Sequence, residues 1–209
     1  MRVAFFGGTF DPIHRGHLAV ASAAANTFAL DQVLFAPVGR QPLKSDSVAA
    51  PFADRLAMTM LAVASAAEPR FTVSRIDAPR ADGLPNYTVD SLAELGRSLP
   101  QARLYALTGA DSFLTLRKWR SSLKLLELAE WIVVSRPEFP LPPDFLDLPE
   151  FAPLSLTPAQ RARVHVLATV HEEVSATDLR RRLSLGDPCV GLLPPTVADY
   201  IQTHHLYRS

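Results

Sequence analysis

The chain has 209 residues, 48% of them hydrophobic, enough to bury a real core and the natural size of one α/β domain rather than two large ones. Twenty-one Lys and Arg balance twenty-one Asp and Glu, so no overall field draws the protein to nucleic acid or to an anionic membrane, and any phosphate binding has to be local, which suits a small-molecule partner. The single cysteine, Cys189, excludes an intramolecular disulfide and, with no Cys cluster beside it, carries no zinc or thiol-redox signature, which fits a reducing cytoplasm.

Met1 to Phe6 is too short an apolar stretch for a signal peptide, and no segment reaches membrane-spanning length. Val3 to Phe6, closed by Gly7 and Gly8, reads as a buried strand. The Ala-rich stretch from Gly16 through Phe28 has good helix propensity, and Gln32 to Val38 reads as a second buried strand, which makes a β-α-β unit. The alternation continues with a helix near Ala53 to Ala67, a strand at Phe71 to Ile76, a helix at Thr88 to Leu99 and a strand at Arg103 to Thr108. A helical patch near Ser121 to Ala129 and a strand at Trp131 to Ser135 follow. Pro137 to Pro158 is proline-rich and reads as an irregular surface insertion. Val164 to Thr169 is the last strand candidate, before helices at Thr177 to Leu185 and, opened by Pro194 and Pro195, Thr196 to His204. The expected architecture is a Rossmann-like, doubly wound parallel sheet in one domain over residues 1–209, with a small C-terminal helical segment from about residue 170.

In open α/β sheets ligands sit beyond the carboxyl ends of the strands, where successive connections diverge. Two strand ends carry unusual chemistry: Gly7-Gly8-Thr9-Phe10-Asp11-Pro12-Ile13-His14-Arg15-Gly16-His17 after the first strand, and Thr108-Gly109-Ala110-Asp111 after the fourth. In a two-half winding those strands are neighbours. Glycines admit a ligand close to the backbone, and the helix tip that follows offers N–H groups with partial positive charge, which suits phosphate. His14 and His17, three apart at a helix start, can face the same way and bond or charge-pair with phosphate oxygens, while Gly16 keeps the approach open. A glycine before a helix is common and a lone histidine is more often packing than catalysis, but the whole run directly after an N-terminal strand is hard to explain as packing. There is neither a G-x-x-x-x-G-K-[ST] loop nor a G-x-G-x-x-G with an acidic residue ending strand two, where Pro37-Val38-Gly39-Arg40 stands.

With His14-Arg15-Gly16-His17 as signature, the sequence resembles the HxGH nucleotidyltransferases, and within them the bacterial nicotinate-nucleotide adenylyltransferase family. The likeness runs through GGTFDPIHRGHL, Asn86-Tyr87-Thr88-Val89-Asp90, Gly109-Ala110-Asp111-Ser112-Phe113 with Trp119, Ser135-Arg136-Pro137, and Asp199-Tyr200-Ile201 with His205-Leu206-Tyr207, nearly the full chain. Ser175-Ala176-Thr177-Asp178-Leu179-Arg180 stands for the second signature. Ala176 replaces a usual hydroxyl residue there, and Leu43 replaces the histidine that usually precedes Lys44, in what the resemblance makes a flap over the triphosphate.

The resemblance implies an enzyme in which the 5′-phosphate of nicotinate mononucleotide attacks the α-phosphorus of ATP directly, giving nicotinate adenine dinucleotide and pyrophosphate. An anionic nucleophile needs no strong base, so rate comes from alignment and charge stabilisation. His14, His17, Lys44 and Arg180 take the catalytic positions. Gly7, Gly8, Thr9, Phe10, Gly16, Gly109 and Asp111, with Ser175 and Thr177 on the pyrophosphate, fall at the ATP. Tyr87, Thr88, Asp111, Trp119 and Arg136 fall at the acceptor nucleotide, with Arg136 equally able to bind phosphate or to cap the sheet edge. Mg²⁺ is expected to ride on the substrate phosphates, with no protein metal cluster. Arg55 reads as a surface or salt-bridge residue, Arg181 and Arg182 as a solvated face, and His165, His171, His204 and His205 as structural. The rivals are a sister transferase for phosphopantetheine or nicotinamide mononucleotide or one using CTP, a non-catalytic nucleotide-binding regulator suggested by Leu43 and Ala176, and a nicotinamide-dependent oxidoreductase, which the missing glycine fingerprint disfavours.

Overall fold

The computed structural model describes residues 1–42, 49–135, 141–168 and 174–208. Its strands β1 (Arg2–Gly8), β2 (Gln32–Pro37), β3 (Phe71–Val73), β4 (Arg103–Gly109), β5 (Glu130–Val134) and β6 (Val164–Leu167) form one parallel sheet in the order β3-β2-β1-β4-β5-β6. The chain winds outward from β1 in one direction and from β4 in the other, and these two strands pair, from Arg2 against Arg103 to Phe5 against Ala106. The expected Rossmann-like winding is therefore observed, with its switch point between β1 and β4.

The strands are buried on both faces, which is why they read as continuous apolar runs. Side chains alternate across the sheet: Ala4, Phe6, Val33 and Phe35 enter one core with helices α1 (Arg15–Thr27), α2 (Phe52–Ala66) and, at the C-terminus, α8 (Pro195–Thr203). Val3, Phe5, Leu34 and Ala36 enter the other, with α3 (Thr88–Ser98), the four-residue α4 (Ala110–Phe113) and α5 (Ser122–Leu128). The described remainder comprises α6 (Pro158–Arg161), α7 (Ala176–Ser184) and 3-10 turns. Helix bounds fall within a residue or two of those read from sequence, whereas β3 stops at Val73 because Ser74 and Asp77 turn the chain into a loop.

Residues 141–158 depart from the expected surface insertion. Phe145 and Phe151 are 3% and 2% exposed and pack their rings on Phe113 with centroids 6.2 and 5.6 Å away. Each buried phenylalanine contributes roughly 1.5–3 kcal/mol, so this irregular stretch is a lid on the second core despite its prolines. Two 3-10 turns, Phe145–Asp147 and Ala152–Leu154, supply backbone bonds that a strand or helix would otherwise give.

Two loops close on each other beyond the ends of β2 and β3. Gly39 donates to the Asp77 carbonyl at 2.6 Å, and a Cβ on Gly39 would lie 2.5 Å from the Pro79 nitrogen, so only glycine permits this approach. Asn86 locks the pair: its amide group accepts from Arg40 N at 3.0 Å and donates to Ala78 O at 2.9 Å. Asp77 is only 4% exposed, with Ser91 Oγ donating to its carboxylate. Burial pushes its pKa up to about 6, against the opposing pull of the Ser91 bond.

That shift has a definite sign. A carboxyl whose folded pKa lies above its unfolded value near 3.8 holds its proton more tightly when folded, so its contribution to stability declines as pH rises from about 4 to about 6. Asp77→Asn cannot ionise, and its unfolding free energy is expected to gain about 2–3 kcal/mol on the parent's between pH 4 and pH 7. Denaturant titrations of the two proteins that run parallel across that range would contradict this.

Candidate active site

Beyond the β1 and β4 carboxyl ends opens a cleft of about 1050 Å³. The glycine run after β1 forms its floor. Gly7 and Gly8 end the strand, and the Phe10 ring comes within 3.0 Å of where a Gly8 Cβ would lie. Phe10, assigned to ATP from sequence, is 2% exposed and takes a left-handed backbone with φ of 49°. Its ring packs edge-on against His17 at 5.0 Å, so within the cleft wall it acts as a support for the imidazole. Thr9 lends its hydroxyl to Gln41 Oε1 at 3.0 Å across the cleft.

His14 precedes α1 and His17 lies in its first turn, and their rings meet tilted, with centroids 3.7 Å apart and 32° between planes. The backbone N–H of His14 donates to Nδ1 of His17 at 3.2 Å. In the neutral His17 ring the proton therefore sits on Nε2, the nitrogen that can donate to an oxyanion. Gly16, buried between the two, lines the cleft as well. The three-residue spacing thus brings both histidines to one edge, as expected of a helix start.

Asp11 is the most heavily bonded residue of the loop. It is 1% exposed, and its carboxylate accepts from Ala49 N at 2.7 Å, Ala50 N at 3.1 Å and Tyr207 Oη at 2.6 Å. Arg180 Nη1 donates to its carbonyl at 2.8 Å and stands 3.9 Å from Oδ2. Arg180 also donates to Thr177 Oγ1 at 3.3 Å, so two sequence-assigned residues of α7 meet at the cleft. Ser175 occupies the N-cap of that helix and is exposed, just outside the lining, while Ala176 and Thr177 form it. Arg181 and Arg182 both pair with Asp178, which leaves Arg180 as the α7 arginine turned to the cleft, as the sequence implied.

Arg55 corrects the expectation of a surface residue. It is 1% exposed and spans the loops, donating to Thr9 O at 2.6 Å, Ala50 O at 3.1 Å and Gly39 O at 3.4 Å. Burial draws its pKa below the ordinary arginine value, offset in part by the nearby Asp11 carboxylate. A cation under the glycine loop stabilises three backbone carbonyls that turn away from any strand.

On the other side of the switch point, Gly109 caps α4 and Asp111 lies exposed in its first turn. Tyr87 and Thr88 begin α3 on the facing wall, and Trp119 completes it, its indole N–H donating to Thr115 Oγ1 at 3.1 Å and its edge meeting Trp131 at 5.7 Å. The Arg120 guanidinium lies 4.7 Å over the Tyr87 ring, and Lys118 shares the rim. These two cations, with Asp77 and Asn86, are cleft residues without an assigned role in the sequence analysis; Asn86 lies in the Asn86–Asp90 segment of the resemblance, Lys118 and Arg120 flank Trp119, and Asp77 carries no such signal. Lys44, with Leu43 before it, Arg136 and His171 lie outside the described residues. Among the described residues no group of three or more His, Cys, Asp or Glu converges to hold a metal ion, and no helix is long and apolar enough to cross a membrane.

The cytidylyltransferase-like family profile matches residues 5–182. A probable nicotinate-nucleotide adenylyltransferase of Leifsonia xyli is 41% identical over 208 residues, covering 100% of this chain and 94% of the relative. One of Thermus thermophilus is 41% identical over 208 residues and 100% of both chains. Among solved structures, the Plasmodium falciparum nicotinic acid mononucleotide adenylyltransferase complexed with NaAD superimposes with a TM-score of 0.78 at 18% identity, over 99% of this chain and 97% of that one. A putative nicotinate-nucleotide adenylyltransferase from Vibrio parahaemolyticus gives 0.66 at 20% identity, over 100% and 97%. These two show the shared fold; the full-length identity to the bacterial relatives, together with a histidine pair and glycine floor at the switch point, shows that the chain belongs to the nicotinate-nucleotide adenylyltransferase family of cytidylyltransferase-like proteins.

Proposed function

We propose that this protein joins ATP and nicotinate mononucleotide into nicotinate adenine dinucleotide, releasing pyrophosphate, as a step of NAD biosynthesis in the cytoplasm. The observation that carries the reading is the close-set His14–His17 pair at the tip of α1, facing a cleft whose opposite wall is Tyr87, Thr88 and Trp119. The names of its relatives support the same reaction and the same pair of small-molecule substrates.

A phosphate oxygen of the acceptor forms the new bond to the α-phosphorus of ATP, and the bond from that phosphorus to the bridging oxygen breaks, so pyrophosphate departs with the electron pair. The nucleophile is an anion already, and no covalent intermediate on the protein is needed. What the protein supplies is alignment and donors fixed before reaction. His17 Nε2 and His14 meet the oxygens around the α-phosphorus. The floor from Gly7 to Phe10 and the Gly16 gap let the phosphates approach the α1 tip, whose N–H dipoles favour them. Arg180, with Thr177 and the Ser175 end of α7, receives the leaving pyrophosphate, and Lys44 adds charge to the tail phosphates. The exchange of Ala176 for a hydroxyl leaves the backbone N–H groups of that helix end in the role. Gly109 and Asp111 meet the ribose moieties.

At the acceptor end, Trp119 stacks on the pyridine ring, and Tyr87, Thr88 and Arg136 hold the nicotinate carboxylate and its phosphate. Divalent metal fits this cleft as a companion of the phosphates. The Asp11 carboxylate is taken up by three donors and that of Asp77 by Ser91, which leaves Asp111 as the exposed carboxylate at the mouth among the described residues. Mg²⁺, which keeps several waters and binds phosphate oxygens, would neutralise charge developing on the triphosphate there.

Purified protein given ATP, Mg²⁺ and each acceptor in turn is expected to release pyrophosphate fastest with nicotinate mononucleotide; faster release with phosphopantetheine or nicotinamide mononucleotide overturns the substrate assignment, and tight ATP binding with no release under any acceptor favours a regulator. His17→Ala should lower kcat by about 10²–10³ without unfolding the protein, the usual contribution of a charge-stabilising donor. Native turnover in that variant removes His17 from the chemistry. Trp119→Ala should raise the KM for the acceptor about tenfold while leaving that for ATP alone; an unchanged acceptor KM returns this tryptophan to the core.

A further inference from the structure

We propose that Tyr207, at the far end of the chain, is a positioning residue for nucleotidyl transfer: its phenol saturates the Asp11 carboxylate and so keeps Arg180 turned to the cleft. This rests on the reading of the cleft as the adenylyl-transfer site. Tyr207 Oη donates to Asp11 Oδ1 at 2.6 Å, across 196 positions of sequence. After α8 the tail doubles back, with Leu206 N bonded to Ile201 O at 3.1 Å, and it reaches Asp11 only through left-handed backbone at His205 and Tyr207, with φ of 53° and 63°. Left-handed conformations are costly for side chains of this size and persist where the surroundings impose them. Here the phenol–carboxylate bond and the packing of Leu206 and Tyr207 on the first core offset them.

The direction of the effect follows from charge. Arg180 Nη1 donates to the Asp11 carbonyl at 2.8 Å and lies 3.9 Å from its Oδ2, near enough to be drawn onto a carboxylate that has lost a donor. Two backbone N–H groups cannot follow such a loss, because Ala49 and Ala50 are fixed at the approach to α2. Arg55 is already engaged with three carbonyls. Burial and the neighbouring Asp11 anion push the Tyr207 phenol above its ordinary pKa, so it stays protonated and donating near neutral pH. Removing that hydroxyl therefore acts on Arg180, and through it on the phosphate end of the cleft, whereas Tyr87, Thr88 and Trp119 on the α3 wall have no part in the network.

The test is a double-mutant cycle on the full-length protein with ATP and nicotinate mononucleotide. Tyr207→Phe is expected to lower kcat about tenfold and raise the KM for ATP, the scale of one charge-assisted hydrogen bond, with the acceptor KM unchanged. In an Arg180→Ala background the same substitution should cost nothing further, because the residue it acts through is gone. Leu206→Ala, which loosens the packing of the tail without touching Asp11, is expected to lower the melting temperature and leave the KM for ATP at its native value. Native kinetics in Tyr207→Phe, additive losses in the Arg180→Ala background, or a Leu206→Ala variant that reproduces the KM change would each overturn the assignment. Absence of pyrophosphate release by the native protein would instead sink the function on which it rests.

Discussion

A carboxylate buried to 1% exposure has to be met by donors on every side, because an unpaired charge in a low-dielectric interior costs several kcal/mol. Asp11 meets this constraint by collecting carboxylate donors from distant parts of the chain, Ala49 and Ala50 before α2 and Tyr207 in the tail, while Arg180 on α7 bonds its carbonyl and stands 3.9 Å from Oδ2. The glycine loop is thereby tied to three elements that sheet topology alone does not bring together. His14 lies three residues beyond Asp11, so the placement of the imidazoles inherits the precision of this network. Arg55 ties the Thr9 carbonyl of the loop to those of Gly39 and Ala50, and the opposite charges of Arg55 and Asp11 sit close enough to moderate each other.

The winding of the sheet explains why the chemistry falls where it does. Pairing β1 with β4 sets the glycine loop beside Gly109 and Asp111, and the divergence of the following connections opens the cleft between them. One wall presents helix tips and Arg180, which suits phosphates; the other presents Tyr87 and Trp119, which suits a flat ring, with Lys118 and Arg120 at its rim. The Gly39, Asp77 and Asn86 contacts hold the loops after β2 and β3 together beside Tyr87, and Gly39 has no room for a Cβ at that approach.

Much of this was legible in the sequence because it is local. Continuous apolar runs such as Val33 to Ala36 mark strands covered on both faces, and His14 and His17 share an edge through helical spacing alone. The glycine run after β1 and the Gly109 turn after β4 mark the switch point by residue type alone. What stayed hidden depends on distant partners. Nothing near Arg55 in sequence indicates that three carbonyls await it, and Asp77, among arginines and prolines, gives no sign of burial until Gly39 closes over its carbonyl. The proline content of residues 141–158 pointed outward, yet Phe145 and Phe151 go inward because Phe113 leaves an aromatic surface to cover. Phe10 lines the cleft as its place in the motif implies, and the sequence gives no sign that its left-handed backbone sets the ring edge-on to His17.

The organising role of the Asp11 charge is most directly tested by Asp11→Asn, which keeps the shape of the side chain but turns an NH₂ toward a ring of donors. Turnover with ATP and nicotinate mononucleotide should fall by about tenfold or more, and the unfolding free energy by about 1–3 kcal/mol, the penalty for donors left facing a donor. A variant with the native rate and the native melting temperature would show that the loop keeps its form without this carboxylate.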